Sequence, residues 1–275
     1  MATDQPFEKW LLSINEEKIC GLASILQTNE TMTTYEPLRL FADAGGNIES
    51  TISDSLLEKQ IATRLTEKLS ERNPVSETIE LQLNNGELFS VFFDIYTPPT
   101  SIMIFGAGHD AIPVAKYSIS LGYPTTVVDA RENFNNETNF PNTKRIIARP
   151  ASYADKVQIT DHTYIIIMNH HIEKDRETLT HALRSVAPYV GVLGPRSRRD
   201  RMIEQLRDEG IEFSNEQFDK MYNPVGLDIG AESSEEIAIS ILAEIIAIRN
   251  GHQAGFLHGK NKIHKYSSTY EEENR

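Results

Sequence analysis

The chain has 275 residues, of which 39% are hydrophobic and 24% are charged. These proportions are typical of a globular protein of one large or two modest domains, and they exclude the disordered and fibrous classes. The 27 Lys and Arg residues against 40 Asp and Glu residues give a net charge of −13. Because such a surface repels polyanions, we expect no nucleic acid and no membrane among the partners.

The single cysteine, Cys20, excludes an intramolecular disulfide and any cysteine-ligated zinc or iron–sulfur site. No metal-binding set is predicted elsewhere. The first residues lack a basic segment followed by an apolar run, so we predict no signal peptide and a cytoplasmic protein. The longest apolar stretch, 237–248, contains Ser240 and Glu244 and is shorter than the ~20 residues that a membrane span requires.

Residues 1–96 are predicted to form a smaller α+β domain. The segments that indicate this are an amphipathic start around Trp10, apolar runs at 19–26 and 37–42, a helix near 54–72, and strands at 78–83 and 87–93. The last two strands are separated by Asn84-Asn85-Gly86, whose residues tolerate positive φ. This spacing predicts a β-hairpin.

The adjacent residues Pro98 and Pro99 indicate a domain boundary, because neither can donate to a strand ladder or continue a helix. We predict a second domain at 100–251 and a polar tail at 252–275. The predicted strands of the second domain are 102–105, 125–128, 145–148, 164–168 and 189–193, and the predicted helices are 110–121, 173–186, 197–209 and 234–250. Alternation of buried strands with helices predicts an α/β fold, a Rossmann-like, doubly wound parallel sheet.

A glycine turn follows the first of these strands. Gly106-Ala107-Gly108-His109-Asp110-Ala111 has the spacing of a dinucleotide-binding fingerprint between a strand and a helix. Gly106 would permit the tight turn, Gly108 would admit a pyrophosphate, and Ala111 would let helix and strand pack closely. We predict a cofactor site at Gly106, Gly108, His109 and Ala111, provided that the Asp110 carboxylate points away from the anion.

The next strand ends in Asp129, 21 positions after Gly108, where a carboxylate commonly binds ribose hydroxyls. Such a carboxylate would repel a 2′-phosphate and so favours NAD, whereas Arg131 could accommodate that phosphate. Both residues are predicted to bind cofactor. A strand that ends in a glycine turn without any ligand is the structural alternative.

The fourth strand delivers His170 to the ligand-binding edge of the sheet, where it could act as a general acid or base. It could equally be a hydrogen-bonded loop residue. Gly194 and Arg196, after the fifth strand, could bind a phosphate or carboxylate, although arginines there could instead pair with Glu204 and Asp208. Asp228 lies in a glycine-rich loop before a helix that Ser233 and Glu236 are predicted to cap.

Five ordered motifs resemble the XdhC/CoxI family of xanthine dehydrogenase accessory proteins. They are Ile-Phe-Gly-Ala-Gly-His (104–109), Val-Val-Asp-Ala-Arg (127–131), Met-Asn-His-His (168–171) with Asp175, Tyr-Val-Gly-Val-Leu-Gly (189–194) and Pro-Val-Gly-Leu-Asp-Ile-Gly-Ala (224–231). The resemblance implies an XdhC/CoxI module followed by a Rossmann domain. It further implies a maturation factor that binds molybdenum cofactor transiently and delivers it to a molybdenum hydroxylase.

The N-terminal module departs from this family. A Gly-Ser-Ile-Ser-Gly-Gly-Cys-Leu-Glu stretch is typical there, whereas residues 50–58 read Ser-Thr-Ile-Ser-Asp-Ser-Leu-Leu-Glu. A Cys-Gly-Gly element is also missing around 89–94. A thiolate mechanism at these positions is therefore excluded.

The resemblance implies a molybdenum hydroxylase apoenzyme as partner and, further, a sulfurtransferase, and a homodimer is the base-rate expectation. The alternative function is an NAD(P)-dependent oxidoreductase in which Gly106, Gly108 and Asp129 hold NAD and His170 donates a proton. Against this alternative, the sequence shows no set of residues that completes a hydride-transfer site.

Overall fold

The computed structural model describes residues 4–28, 37–71, 74–82, 86, 88–169 and 171–259. The chain divides into two compact units, Met1–Pro99 and Thr100–Arg275. The first unit has an antiparallel sheet and the second a parallel one, so the predicted fold class is confirmed. Within the described ranges, no helix is long and apolar enough to cross a membrane.

The first unit is a five-stranded antiparallel sheet with two helices. Its elements are α1 (Gln5–Asn15), β1 (Cys20–Thr28), β2 (Arg39–Asp43), β3 (Ile48–Ser50), α2 (Ser55–Leu69), β4 (Glu77–Gln82) and β5 (Leu88–Tyr96). The strand order is β3-β2-β1-β5-β4. Strands β4 and β5 pair antiparallel as predicted, while Asn84 and Asn85 of the predicted turn lie outside the described residues.

The two faces of this sheet carry different helices because side chains alternate along each strand. Cys20 and Leu22 of β1 pack in the cluster that contains Trp10 of α1. Gly21 lies on the other face, where an added Cβ would come within 2.5 Å of the Leu65 side chain of α2. The missing side chain of Gly21 therefore lets α2 lie close to the sheet.

The second unit is a six-stranded parallel sheet. Its strands are β6 (Ser101–Phe105), β7 (Thr125–Val128), β8 (Lys144–Ile146), β9 (Thr163–Ile167), β10 (Tyr189–Val192) and β11 (Met221–Tyr222). Its helices are α3 (Ala111–Ser120), α4 (Tyr153–Lys156), α5 (Ile172–Arg184), α6 (Arg196–Asp208), α7 (Asn215–Asp219) and α8 (Ser234–Asn250). All five predicted strands are present and parallel, whereas β11, with two residues, is too short to leave a hydrophobic run in the sequence.

The strand order, β11-β10-β9-β6-β7-β8, places β6 beside β9 although two strands separate them in the chain. This reversal of direction is the topological switch point, where doubly wound sheets bind ligands. Helices α3 and α8 cover one face of the sheet, and α5 and α6 cover the other.

The final helix, α8, has the predicted cap. The Ser233 side chain accepts the N–H of Glu236, and the Glu236 carboxylate accepts the N–H of Ser233. The helix ends at Gly251, whose φ of 63° is left-handed. Residues 252–259 are exposed, and the rest of the predicted tail lies outside the described residues.

Candidate functional site

The bend after β6 requires glycine at its first position. Gly106 has a φ of +115°, a conformation that L side chains rarely adopt. A Cβ there would lie 2.6 Å from the carbonyl oxygen of Met168 and 2.9 Å from the Cα of Asn169. Because both neighbours are backbone at the end of β9, neither can move aside. Gly106 therefore brings the bend against the neighbouring strand at the switch point.

Backbone N–H groups of the bend are directed by the start of α3. The N–H of Ala111 binds the carbonyl of Gly108 at 3.1 Å, and that of Ile112 binds the carbonyl of His109 at 3.2 Å. No described residue accepts a hydrogen bond from the N–H of Gly108 or of His109. Two donors at the positive end of a helix dipole form a local environment suited to an anion.

Asp110, the acidic residue of the bend, is engaged with another helix. Its Oδ1 accepts a hydrogen bond from the hydroxyl of Ser234, in the first turn of α8. It makes no side-chain cap for α3. The carboxylate is thus held by α8 and does not cap the donors of its own helix.

Asp129, after β7, binds the protein at four positions. Its Oδ2 accepts the N–H of Ala107 at 2.8 Å and the Nη2 of Arg131 at 2.6 Å. Its Oδ1 accepts the N–H and the Nε of Arg131, at 2.9 and 3.0 Å. A ribose hydroxyl would therefore have to displace one of these bonds.

The same contacts set the ionisation of Asp129, which is 4% exposed. Burial by itself raises the pKa of this carboxyl, but the hydrogen bonds from Arg131 and Ala107 outweigh burial and lower the pKa below its ordinary value. Arg131 in turn lies over the ring of Phe134, with 4.5 Å between the guanidinium carbon and the ring centroid. The ion pair is fixed from both sides.

A second buried carboxylate, Asp175 of α5, lies on the other side of the switch point. It accepts the N–H of Asn169 at 3.1 Å and binds the guanidinium of Arg198 from α6. Burial raises the pKa of Asp175 in spite of these bonds. The pair joins the loop after β9 to the first turns of α5 and α6.

The remaining predicted site residues lie around this edge. His170 falls outside the described residues, between Asn169 and the exposed His171. Arg196, the first residue of α6, and Asp228 are both exposed. Gly194 has a φ of +119°, and its carbonyl accepts the side-chain amide of Asn223 at 2.9 Å. The prediction that these residues bind cofactor stays a prediction, as it does for those of the bend and for Asp129 and Arg131.

The arginines after β10 do not pair with Glu204 and Asp208. Arg198 binds Asp175, and Arg199 binds Asp200 at 2.5 Å. Helical spacing brings Arg198 onto the side of α6 that faces α5, whereas Arg196 lies half a turn earlier. Arg198 was not singled out by the sequence, and only the acidic residue in the resembling motif, Asp175, indicated a buried partner.

A cavity of about 450 Å³ opens beside the bend, beyond the carboxyl ends of β7, β8 and β9. Its lining residues are Asp129, Ala130, Arg131, Ala148, Arg149, Pro150, Ala151, Tyr153, Asn169, Lys174 and Glu177. Only Asp129 and Arg131 were predicted site residues. The segment after β8 was missed because it carries no motif, although its place at the end of a parallel strand was a usable signal.

The first unit offers no reactive thiol. Cys20 is fully buried, and burial raises the pKa of its thiol to about 12. Leu56, which stands where the resembling family has its cysteine, is in the first turn of α2 and 44% exposed. Asp54 begins that helix by accepting the N–H groups of Leu56 and Leu57, both at 2.9 Å.

Comparison with protein families decides the relationship. The model of the XdhC Rossmann domain matches residues 102–245, just over half of the chain and nearly all of the parallel sheet. The chain belongs to the XdhC family. The resemblance predicted from the five motifs is thereby confirmed.

Curated relatives of this XdhC-family chain agree with the match. The uncharacterized protein YqeB of Escherichia coli is 28% identical over 88% of the chain and 46% of its own length. A Bacillus subtilis protein named as a probable xanthine dehydrogenase component is 30% identical over 58% of the chain and 46% of its own length. The molybdenum cofactor insertion chaperone PaoD of Escherichia coli is 23% identical over 74% and 60%, respectively. The chain thus spans about half the length of the first two.

One solved structure resembles this XdhC-family chain throughout. It is described as a xanthine dehydrogenase from Bacillus halodurans and is 21% identical. It covers 92% of this chain and 98% of its own, with a TM-score of 0.51. At this identity the likeness supports the fold alone.

Proposed function

We propose that this protein is an accessory factor for a molybdenum hydroxylase, and that its Rossmann crevice binds molybdenum cofactor or a related phosphorylated ligand. The observation that carries the proposal is the pair of N–H groups of Gly108 and His109, which lack an acceptor among the described residues. They lie at the start of α3, where a phosphate is favoured by both hydrogen bonding and the helix dipole.

The relatives supply the class of cofactor. PaoD is named a molybdenum cofactor insertion chaperone, and the Bacillus subtilis relative is named for xanthine dehydrogenase. Molybdenum cofactor carries a phosphate, which is the group that the bend is suited to bind. Because Cys20 is buried, the cofactor would be held by backbone donors and polar side chains and not by a thiolate.

The oxidoreductase alternative has less support. It needs the carboxylate of Asp129 for the ribose hydroxyls of NAD, and that carboxylate binds Ala107 and Arg131. A fluorescence titration with NADH checks this directly. Saturable binding that is lost in Asp129→Ala would favour the oxidoreductase over the accessory factor.

The proposal is tested by incubating the full-length protein with molybdenum cofactor released from a hydroxylase and separating the mixture by gel filtration. We expect molybdenum and oxidised pterin to elute with the protein at micromolar concentration. An apoenzyme of a molybdenum hydroxylase added afterwards should regain activity faster than with free cofactor. Absence of co-elution contradicts the proposal.

Partner proteins form a separate part of the proposal. A hydroxylase apoenzyme, a sulfurtransferase and a second copy of the chain are the proposed partners. Analytical ultracentrifugation of the protein alone, and then with each of the other two, measures all three. The sedimentation coefficient should increase with the apoenzyme if delivery takes place by direct contact.

A further inference from the structure

We infer that the cavity beside the bend binds a nucleoside, so that the ligand of this site is a nucleotide-bearing cofactor whose phosphates lie on the bend. This inference rests on the proposed function and goes further by naming the ligand class. The part of the cofactor that carries the chemistry would lie across the switch point, toward β9 and β10.

The position of the cavity joins it to the bend. Asp129 lines the cavity and also accepts the N–H of Ala107 at 2.8 Å. The cavity therefore begins one side chain away from the N–H groups of Gly108 and His109. A ligand with phosphate on those donors can extend directly into the cavity.

The size and shape of the cavity favour a ring system. A volume of about 450 Å³ is within the range of small-molecule sites. A water molecule occupies about 30 Å³, so an inorganic phosphate would leave most of this space unfilled. The lining is largely small or flat, from Ala130, Ala148, Pro150, Ala151 and Tyr153. Such walls accept a planar ring better than a branched one.

Groups that could recognise a nucleobase border the same space. Tyr153 has an aromatic ring and Arg131 a planar guanidinium, and both kinds of group stack on bases. Asn169 lines the cavity with a side-chain amide whose oxygen has no hydrogen-bond partner among the described residues. An amide of this kind can pair with the edge of a base.

The charge of the cavity favours an anionic ligand. Arg149 and Lys174 line it, and neither forms an ion pair with any residue that the structure describes. Asp129 is neutralised by Arg131, which leaves Glu177 as the acidic residue opposite them. This local excess of positive charge is unlike the chain as a whole, whose net charge is −13. Phosphates next to the nucleoside would meet these cations.

Isothermal titration calorimetry of the full-length protein tests the inference with four probes: ADP, CDP, GDP and inorganic pyrophosphate. We expect at least one nucleoside diphosphate to bind about tenfold more tightly than pyrophosphate, as base stacking typically provides. Equal affinity for all four probes would overturn the inference.

Variants locate the binding. Ala151→Trp fills the cavity from an exposed position, and Arg149→Ala with Lys174→Ala removes its cations. Both changes should abolish the preference for the nucleoside diphosphate, whereas the matched control Lys144→Ala, at the amino end of β8, should retain it. A preference that survives in both cavity variants refutes the nucleoside site.

Failure of the inference can be distinguished from failure of the proposed function. If molybdenum cofactor co-elutes with the wild type and equally with the cavity variants, the proposed function stands and the inference is wrong. If neither the cofactor nor any nucleoside diphosphate binds, both are wrong.

Discussion

The carboxylate of Asp129 accepts the backbone N–H of Ala107 at 2.8 Å, and so ties the end of β7 to the glycine bend after β6. Sequence spacing assigns this carboxylate to the ribose of a cofactor. In the folded chain it is held instead by the bend and by Arg131. The residue therefore shapes the anion site, which can be examined without any ligand.

We expect Asp129→Ala to lower the free energy of unfolding of the second unit by about 2 kcal/mol, because the change leaves the N–H of Ala107 and the Arg131 guanidinium without their acceptor. Differential scanning calorimetry measures the loss. Trp10, the one tryptophan, lies in the first unit, so its fluorescence does not report on this change. Glu132→Ala, an exposed carboxylate three positions on, is the control. Equal effects of the two would contradict the role of Asp129.

Asp129 and Asp175 should affect the pH dependence of stability in opposite directions. The folded pKa of Asp129 is lowered, so its contribution is present above the unfolded pKa of ~3.9 and is lost as pH falls through the folded pKa. The folded pKa of Asp175 is raised, so its contribution is present below ~3.9 and is lost as pH rises through the folded pKa.

Urea unfolding between pH 3 and 7, followed by circular dichroism, separates these two slopes. The stability of wild type relative to Asp129→Asn should decrease once the pH falls below about 4. Relative to Asp175→Asn it should increase as the pH falls from 7 toward about 4. Two slopes of the same sign would show that one of these pKa shifts has the opposite direction.

Gly106→Ala should destabilise the second unit more than Gly122→Ala does. Both glycines have positive φ, at +115° and +80°. Only at Gly106 would the new Cβ meet backbone, since Gly122 has open space around it. Strain alone costs about 1–2 kcal/mol, and we expect at least another ~1 kcal/mol at Gly106 from the contact with β9. Melting temperatures of the two variants that agree would refute this contact.

Tyr189→Phe should loosen the loop that precedes α8. The Tyr189 hydroxyl donates to Oε1 of Glu244 at 2.6 Å, and the same oxygen accepts the N–H of Gly226 at 3.0 Å. Loss of one donor from a buried carboxylate should cost about 1–2 kcal/mol in calorimetry. Tyr117→Phe, on α3, is the matched control. If the control is equally destabilised, the Glu244 contact does not anchor the loop.

The sequence was most informative where a local pattern has one physical explanation. Buried parallel strands read as apolar runs, and Gly106 occupies the bend that its motif predicts. The partners of charged side chains could not be predicted in the same way, because the fold brings them together. Arg198 with Asp175 is one case, 23 positions apart in sequence, and Arg149 at the mouth of the cavity is another.

Binding of the cofactor's phosphate at the bend is best examined by charge reversal at the exposed position of that bend. His109→Glu places a carboxylate at the start of α3, which should leave the helix as stable or more so while repelling an anion. Equilibrium binding of released molybdenum cofactor should weaken at least about tenfold in this variant and remain unchanged in Gln5→Glu, which adds the same charge at the start of α1. Undiminished binding by a folded His109→Glu protein would show that the phosphate does not lie on the bend.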